Sequence, residues 1–370
     1  MSIARRSDPV SDVAGQIFRR AQKECEIEAS TVDFLHSGCH ALNLAASQKG
    51  RGGGWARGRI INLVGDGSSG KTLTALEACA QAYYGIAGQK ARNYPEVKRV
   101  QIVYNNVEGA MDFPLERMYG QRFRDGVEWI QTPTCEEFGR DYIGRVDALK
   151  SGEFLLYVVD SLDSMSSEAG LERMDKSVKS GKPTDGSYGT EKAKYLSSDF
   201  FNTLCGKMKG KDATLIAISQ IREKIGITFG EKHYRAGGKA LDFYTHQVCW
   251  LAQVEKLKKT FTGHERVYGV RVRARFKRNK CAMPFREADF PILFDYGIDD
   301  VGATADFLFG PKDKKVEWGD GEKWEGSKND LVARADGDSS VYAGMLQELE
   351  DRWQKIESET RVERRGRFEE

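Results

Sequence analysis

Apolar residues recur along this chain with two different periods. Four short, nearly unbroken apolar runs, Ile60 to Val64, Val100 to Tyr104, Phe154 to Val159 and Thr214 to Ser219, have the length and composition of strands buried on both faces. Segments with helical periodicity fall between and beside them, over Thr72 to Tyr84, Pro114 to Tyr119, Glu137 to Leu149 and Tyr195 to Met208. This alternation predicts an α/β fold: a mainly parallel, twisted sheet with helices on both faces. Val248 to Val254 and Val267 to Arg275 lack a helix between them, which predicts antiparallel strands extending that sheet.

The ends of the chain and two internal stretches depart from this rhythm. Val13, Ile17, Ala21 and Cys25 recur every four residues behind the capping candidates Ser11 and Asp12, predicting an amphipathic helix over 11–28. Its stripe needs a docking surface, on the body of the protein or on a neighbouring copy. Residues 164–194, rich in Ser, Gly, Lys and Asp, and residues 222–239 read as long loops, which in compact domains are usually functional or disordered. Val316 to Trp324 reads as a hairpin with a tight Asp320-Gly321 turn, and Val341 to Ile356 as a helix. The resulting division is an N-terminal segment at 1–33, a core at 34–300, and a small α+β C-terminal domain with a charged tail at 301–370.

Composition narrows the class. With 370 residues, 40% hydrophobic and 30% charged, the chain can bury one large core. No apolar run approaches the roughly 18 residues of a membrane helix, and the start carries no secretory pattern, so the expected location is cytoplasmic. Seven cysteines, far apart and without a Cys-x-x-Cys pair, read as free thiols. His36-Ser37-Gly38-Cys39-His40 reads as a turn into a helix and not as a metal centre. Net charge is only +2, but ten Lys or Arg and a single acid, Glu265, lie between Lys256 and Lys280, a candidate phosphate-binding surface.

The strongest chemical signal is Gly65-Asp66-Gly67-Ser68-Ser69-Gly70-Lys71-Thr72, placed where a strand gives way to a helix. Such glycines let backbone N–H groups curl around phosphate oxygens, and the helix adds its positive end. Lys71 reaches the outer phosphates, Thr72 offers a hydroxyl to Mg²⁺, and the candidate contacts continue to Leu73. Asp160 ends the buried run Phe154 to Val159, at the sheet edge where ligands bind, and can orient Mg²⁺ and its waters. ATP and Mg²⁺ are thus the expected cofactors. Hydrolysis also needs a group to deprotonate water; Glu108 and Glu116 both follow the strand at Val100 to Tyr104, and spacing alone does not choose between them. Gln220, ending the strand at Thr214 to Ser219, can sense a terminal phosphate or simply bond to backbone.

Four blocks together resemble the RecA-type recombinases: Gly65 to Thr72, Val107 to Asp112, Ser219 to Gly226 with Gly237 to Leu241, and Phe276 to Phe285 continuing into Phe290 to Phe294. The resemblance implies that Glu108 activates water and that Gln220 senses phosphate. It implies that Asp112 borders the adenine, with Leu115 standing where the family has an aromatic. Arg278 and Lys280 match two cations that reach a neighbouring subunit's ATP, although the family has Lys at both positions. The loops at 164–194 and 222–239 correspond to the DNA-binding loops. Arg222, Lys224, Arg235 and Lys239 would supply charge, Ile225 an apolar wedge, and Gly237 and Gly238 close backbone approach to phosphates. Glu223 occupies a position that is bulky and apolar in the family. Phe243 matches an interface position, and the N-terminal helix would dock on the next subunit.

The implied function is an ATP-dependent homologous recombinase. It would self-associate into a helical filament on single-stranded DNA, pair with homologous double-stranded DNA and exchange strands, associated with the nucleoid and with no membrane partner. A hexameric motor or helicase on the same core, and a regulatory DNA-binding relative without strand exchange, are the competing classes. The longer first loop and shorter C-terminal part would suit a phage-encoded relative acting in a host cytoplasm.

Overall fold

A computed structural model describes residues 32–87, 94, 96–109, 111, 113–181, 190–223, 233–235, 238–310, 316–317, 323–324 and 326–361. β1 (Phe34–Leu35) pairs with β2 (Trp55–Ala56) across helix α1 (His40–Ser47). β3 (Ile60–Gly65) leads into α2 (Lys71–Ala82), and β4 (Arg99–Asn106) into α3 (Leu115–Tyr119) and α4 (Gln121–Gly126). β5 (Glu128–Ile130), α5 (Cys135–Ala148) and β6 (Glu153–Asp160) follow. Next come α6 (Glu168–Ser180), α7 (Thr190–Lys194) and α8 (Phe201–Lys207), then β7 (Ala213–Glu223), β8 (His233–Arg235) and α9 (Gly238–Tyr244). The long pair β9 (Gln247–Phe261) and β10 (His264–Asn279) precedes β11 (Glu287–Leu293) and β12 (Gly297–Ile298). Helices α10 (Asp300–Phe309), α11 (Lys328–Gly337) and α12 (Ser339–Glu359) complete the described chain.

The sheet has ten strands in the order β12-β11-β10-β9-β3-β7-β6-β4-β5, with β8 pairing off this path to β7. From β9 through β3, β7, β6 and β4 to β5 every pair is parallel; from β9 to β12 every pair is antiparallel. The expected sheet and its antiparallel extension are therefore both present. Alternation explains the parallel half. Along β6, Phe154, Leu156 and Val158 enter one hydrophobic cluster, and Leu155, Tyr157 and Val159 enter the other. Successive side chains point to opposite faces, so only a strand covered on both sides can bury the whole run, each side chain being worth about 1.5–3 kcal/mol. Cys79 and Leu76 of α2 cover one face, and Phe138, Tyr142 and Leu204 of α5 and α8 cover the other.

The C-terminal helices join the first of these clusters: Ala303, Leu308, Leu331, Met345, Leu349 and Trp353 lie buried with Leu42 and Phe290. Local chemistry sets their starts. Asp299 accepts the Gly302 N–H, Ser327 and Asp330 form a reciprocal capping box, and Asp338 accepts the Ser340 N–H. Val316–Glu317 pairs antiparallel with Lys323–Trp324, as a hairpin requires; the Asp320-Gly321 turn lies outside the described residues, as does the helix expected at 11–28.

One expectation is corrected. Residues 164–194 do not read as a helix by pattern, yet 168–180 are helical, with the Ser167 hydroxyl accepting the Gly170 N–H and Gly181 closing the end at φ 65°. None of this helix is buried, and its few apolar residues, Leu171, Met174 and Val178, stay exposed. Leu171, Met174 and Val178 do recur at helical spacing, but they are few in a stretch rich in Ser, Gly, Lys and Asp, and that composition reads as a loop. In the second stretch, backbone pairing of Ile221 with Arg235 and of Glu223 with His233 carries β7 outward as a two-stranded ribbon.

Two histidines make the fold acid-sensitive. His36 Nδ1 accepts the Gly38 N–H at 2.9 Å and His246 Nδ1 accepts the Ile60 N–H at 3.3 Å. A protonated Nδ1 cannot accept, and burial foremost pulls both side chains down to about 4. The unfolded chain then takes up these protons first, so their contribution to stability is lost as pH falls from about 6.5 towards about 4. Burial raises Glu77 and Asp299, which act in the opposite sense, so the informative comparison is between variant and parent. In urea titrations at pH 7 and pH 5, His36→Gln, which keeps an acceptor, should shrink the parent's acid-induced loss by about 2 kcal/mol. An unchanged pH slope would show that His36 titrates alike in the folded and unfolded chain.

Candidate functional site

The phosphate loop is built by the end of β3 and the start of α2. Gly70 adopts φ 85°, and a Cβ there would lie 2.7 Å from Ile292 Cδ1, so a larger residue would be both strained and crowded. Gly65 is equally tight: a Cβ would sit 2.5 Å from the Leu251 carbonyl oxygen. Lys71 is buried, and its Nζ folds back over the loop onto the Asp66 carbonyl and, at 3.4 Å, the Ser69 hydroxyl. Burial lowers its pKa against the opposing pull of Asp160, Asp66, Glu108 and Asp163. A cation held by carbonyl and hydroxyl oxygens at a helix N-terminus is poised to exchange those partners for phosphate oxygens.

Asp160 ends β6, level with the end of β4, and is buried. Its Oδ2 accepts from Thr72 Oγ1 at 2.8 Å and from the Tyr104 hydroxyl at 2.8 Å. Burial raises its pKa, and these two donors work against that rise. Thr72 and Asp160 present hard oxygen donors beside the phosphate loop, a set that fits Mg²⁺. Tyr104 was not legible as a site residue, because a tyrosine inside an apolar strand reads as core.

Glu108 leaves β4 at the same sheet edge. Its Oε1 accepts from Ser161 Oγ at 2.7 Å, Ser164 Oγ at 3.1 Å and Gln220 Nε2 at 2.8 Å. The Gln220 backbone N–H is fixed by Asp163 Oδ2 at 2.8 Å. The structure thus joins Glu108 to Gln220. Glu116 lies elsewhere, on α3, paired with Arg124. Ser161, Asp163 and Ser164 gave no sequence signal beyond their closeness to Asp160.

Beside the phosphate loop opens a cavity of about 620 Å³, lined by Ser68 to Leu73 and by Phe113, Gln253, Lys256, Val270, Ile292 and Phe294. It is the apolar continuation a nucleotide base requires. Leu115 packs against the core instead, while Phe113 and Phe294 bring aromatic rings to the cavity. Asp112 lies outside the described residues.

Arg278 and Lys280 are not part of this constellation. Arg278 pairs with Val248, which is level with Asn62, and the Lys280 N–H bonds to His246, whose own N–H bonds to Ile60. Lys280 is therefore level with the start of β3, about 16 Å along the strand from Gly65, and Arg278 with its middle, about 10 Å from Gly65. There Arg278 donates to the Asp242 carbonyl and Lys280 to the Phe243 carbonyl at 2.7 Å, and Phe243 itself is 66% exposed. The rest of the basic stretch divides. Arg271, Arg273 and Arg275 pair with Glu255 or Asp306, Asp289 and Glu287, whereas Lys256, Lys259 and Arg266 project from the exposed part of the β9–β10 hairpin.

Of the proposed DNA contacts, Lys224, Ile225 and Gly237 lie outside the described residues. Arg222 in β7, Arg235 in β8, and Gly238 and Lys239 in α9 are placed as backbone positions. His36 to His40 forms the expected turn into a helix, with His40 Nδ1 2.6 Å from Asp300 Oδ2. Six cysteines among the described residues are free. No helix among them is long and apolar enough to cross a membrane.

A parallel sheet with a phosphate loop at its carboxyl edge, a magnesium-type carboxylate on a neighbouring strand and a carboxylate–amide pair beside it defines a P-loop nucleotide-binding protein of the ATPase type. Comparison with known proteins is more specific. Residues 14–299 match the RecA N-terminal domain. Protein RecA of Leifsonia xyli subsp. xyli is 32% identical over 320 residues, covering 84% of this chain and 79% of its own length. Protein RecA of Acidothermus cellulolyticus is 31% identical over 278 residues (74% and 70%), and that of Gloeothece citriformis 29% identical over 275 residues (74% and 67%). The chain belongs to the RecA family of recombinases.

Proposed function

We propose that this chain is an ATP-dependent homologous recombinase that assembles as a helical filament on single-stranded DNA, pairs it with a homologous duplex and exchanges strands. The observation that carries this reading is the separation of the site into two halves. Lys71, Thr72, Asp160, Glu108 and Gln220 converge at one edge of the sheet, whereas Arg278 and Lys280 lie back along the strands, bonded to the Asp242 and Phe243 carbonyls, with Lys280 also over the Phe243 ring. A site whose outer cations lie out of reach of its own phosphates is completed by a second copy, and a head-to-tail contact of that kind propagates.

In this reading Lys71 exchanges the Asp66 carbonyl for the outer phosphates of ATP. Thr72 and Asp160 would hold Mg²⁺, which supplies charge neutralisation at the phosphate oxygens. Glu108 takes the proton of the attacking water at a carboxylate oxygen. Gln220 turns from Glu108 towards the terminal phosphate, and because it lies on β7, its movement passes directly into the 222–239 segment. Phosphate charge is thereby coupled to the grip on DNA through an order–disorder switch. The 164–194 and 222–239 segments, with Arg222, Lys224, Ile225, Arg235, Gly237, Gly238 and Lys239, form the DNA-binding side, and hydrolysis loosens it.

Electron microscopy with single-stranded DNA and a slowly hydrolysed ATP analogue tests the assembly. Continuous helical filaments are the expected result. Closed rings would instead assign the chain to the motor class, and unassembled monomers to the regulatory class.

A further inference from the structure

The three donors that converge on Glu108 Oε1 come from two places. Ser161 and Ser164, whose hydroxyls are 3.0 Å apart, sit at the root of the 164–194 segment, and Gln220 sits at the root of the 222–239 segment. Asp163, between the two serines, fixes the Gln220 backbone at 2.8 Å, so the roots of both segments are tied to each other as well as to the carboxylate. A carboxylate oxygen offers about two lone-pair sites, so three donors crowd this one. Together they fix the orientation of the whole carboxylate, which cannot turn an oxygen towards an attacking water while they hold.

We propose that Ser164, together with Ser161, is a positioning residue that latches Glu108 in an idle state, and that engagement of DNA by the 164–194 segment releases it. The latch rests on the reading of Glu108 as the base. It gives the first segment, and not only Gln220, a direct hold on hydrolysis. Nucleotide would then be spent slowly by the free protein and quickly once DNA is bound, because each donor that lets go of this oxygen makes the turn of the carboxylate easier.

The full chain carrying Ser164→Ala tests this. Its ATP turnover without DNA should rise about fivefold, the rate equivalent of one hydrogen bond. Its KM for ATP and its DNA-stimulated kcat should stay within about twofold of the parent, so the stimulation ratio falls. Ser164→Thr, which keeps the hydroxyl, should restore the low idle rate. A serine that only supported the fold, or one that aligned Glu108 for catalysis, would leave the idle rate unchanged or lower it, and either result overturns the latch. Glu108→Gln separates the two levels of the argument. Turnover that persists in Glu108→Gln removes the base assignment and the latch with it; lost turnover there, with an unaltered idle rate in Ser164→Ala, removes the latch alone.

Discussion

Lys71→Ala should weaken ATP binding about 100-fold and lower turnover at saturating ATP by a further 10²–10³, abolishing ATP-supported DNA binding. The size of the effect follows from the surroundings. Asp66, Asp160, Glu108 and Asp163 all act on the Lys71 charge, which makes it the cation that offsets a concentration of carboxylates. Removing it does more than delete a contact to phosphate. It leaves a triphosphate to approach a site lined with like charge and partly shielded from water, where such repulsion is strong. Calorimetric titration with a slowly hydrolysed analogue reads the first loss, and single-turnover hydrolysis the second. Unchanged affinity would remove the phosphate loop from the mechanism.

The double substitution Arg278→Ala with Lys280→Ala should cost 10³–10⁵ in DNA-stimulated turnover while leaving nucleotide binding by the free chain intact, as expected of cations supplied across an interface. Both residues are bonded to carbonyls of α9 and not to their own phosphate loop, so the loss should be complemented in trans. A one-to-one mixture with the Lys71→Ala chain pairs an intact phosphate loop with intact cations at about a quarter of randomly formed interfaces. The mixture should therefore recover roughly that fraction of parental turnover, although each variant alone is inactive. Failure of the mixture to exceed its components would mean that the cations act within one chain. Loss of nucleotide affinity in the isolated double variant would point to the same conclusion.

The legible parts of the fold share one property: their signal is local. Phe154 to Val159 reads as a buried parallel strand because all six residues are apolar, and it folds that way because each face has its own cluster to enter. α6 carried a local signal that its composition outweighed: Leu171, Met174 and Val178 keep helical spacing between the caps at Ser167 and Gly181, but they are three apolar residues in a charged, Ser-rich stretch and bury nothing. Long-range partners escaped altogether. Tyr104 reached Asp160, and Ser164 reached Glu108, only because β4 and β6 lie side by side in exact register from Arg99 opposite Glu153 to Asn106 opposite Asp160. Phe113 likewise became a cavity residue only in the folded chain, where Ile292 of β11 and the neighbouring Phe294 share its lining.

By itself, the sequence determined that phosphates are held at Gly65 to Thr72, because a turn of this geometry depends on glycines and a lysine at fixed spacing along one stretch of chain. It also determined the alternation that makes a parallel sheet, since period and composition are properties of neighbours. Only the tertiary structure decided which carboxylate stands beside the amide of Gln220, what else bonds to that carboxylate, and on which side of the sheet Arg278 and Lys280 come to rest. Those are relations between strands distant in the chain. They depend on strand order and register, which arise from packing two faces of one sheet and have no signature in any single segment.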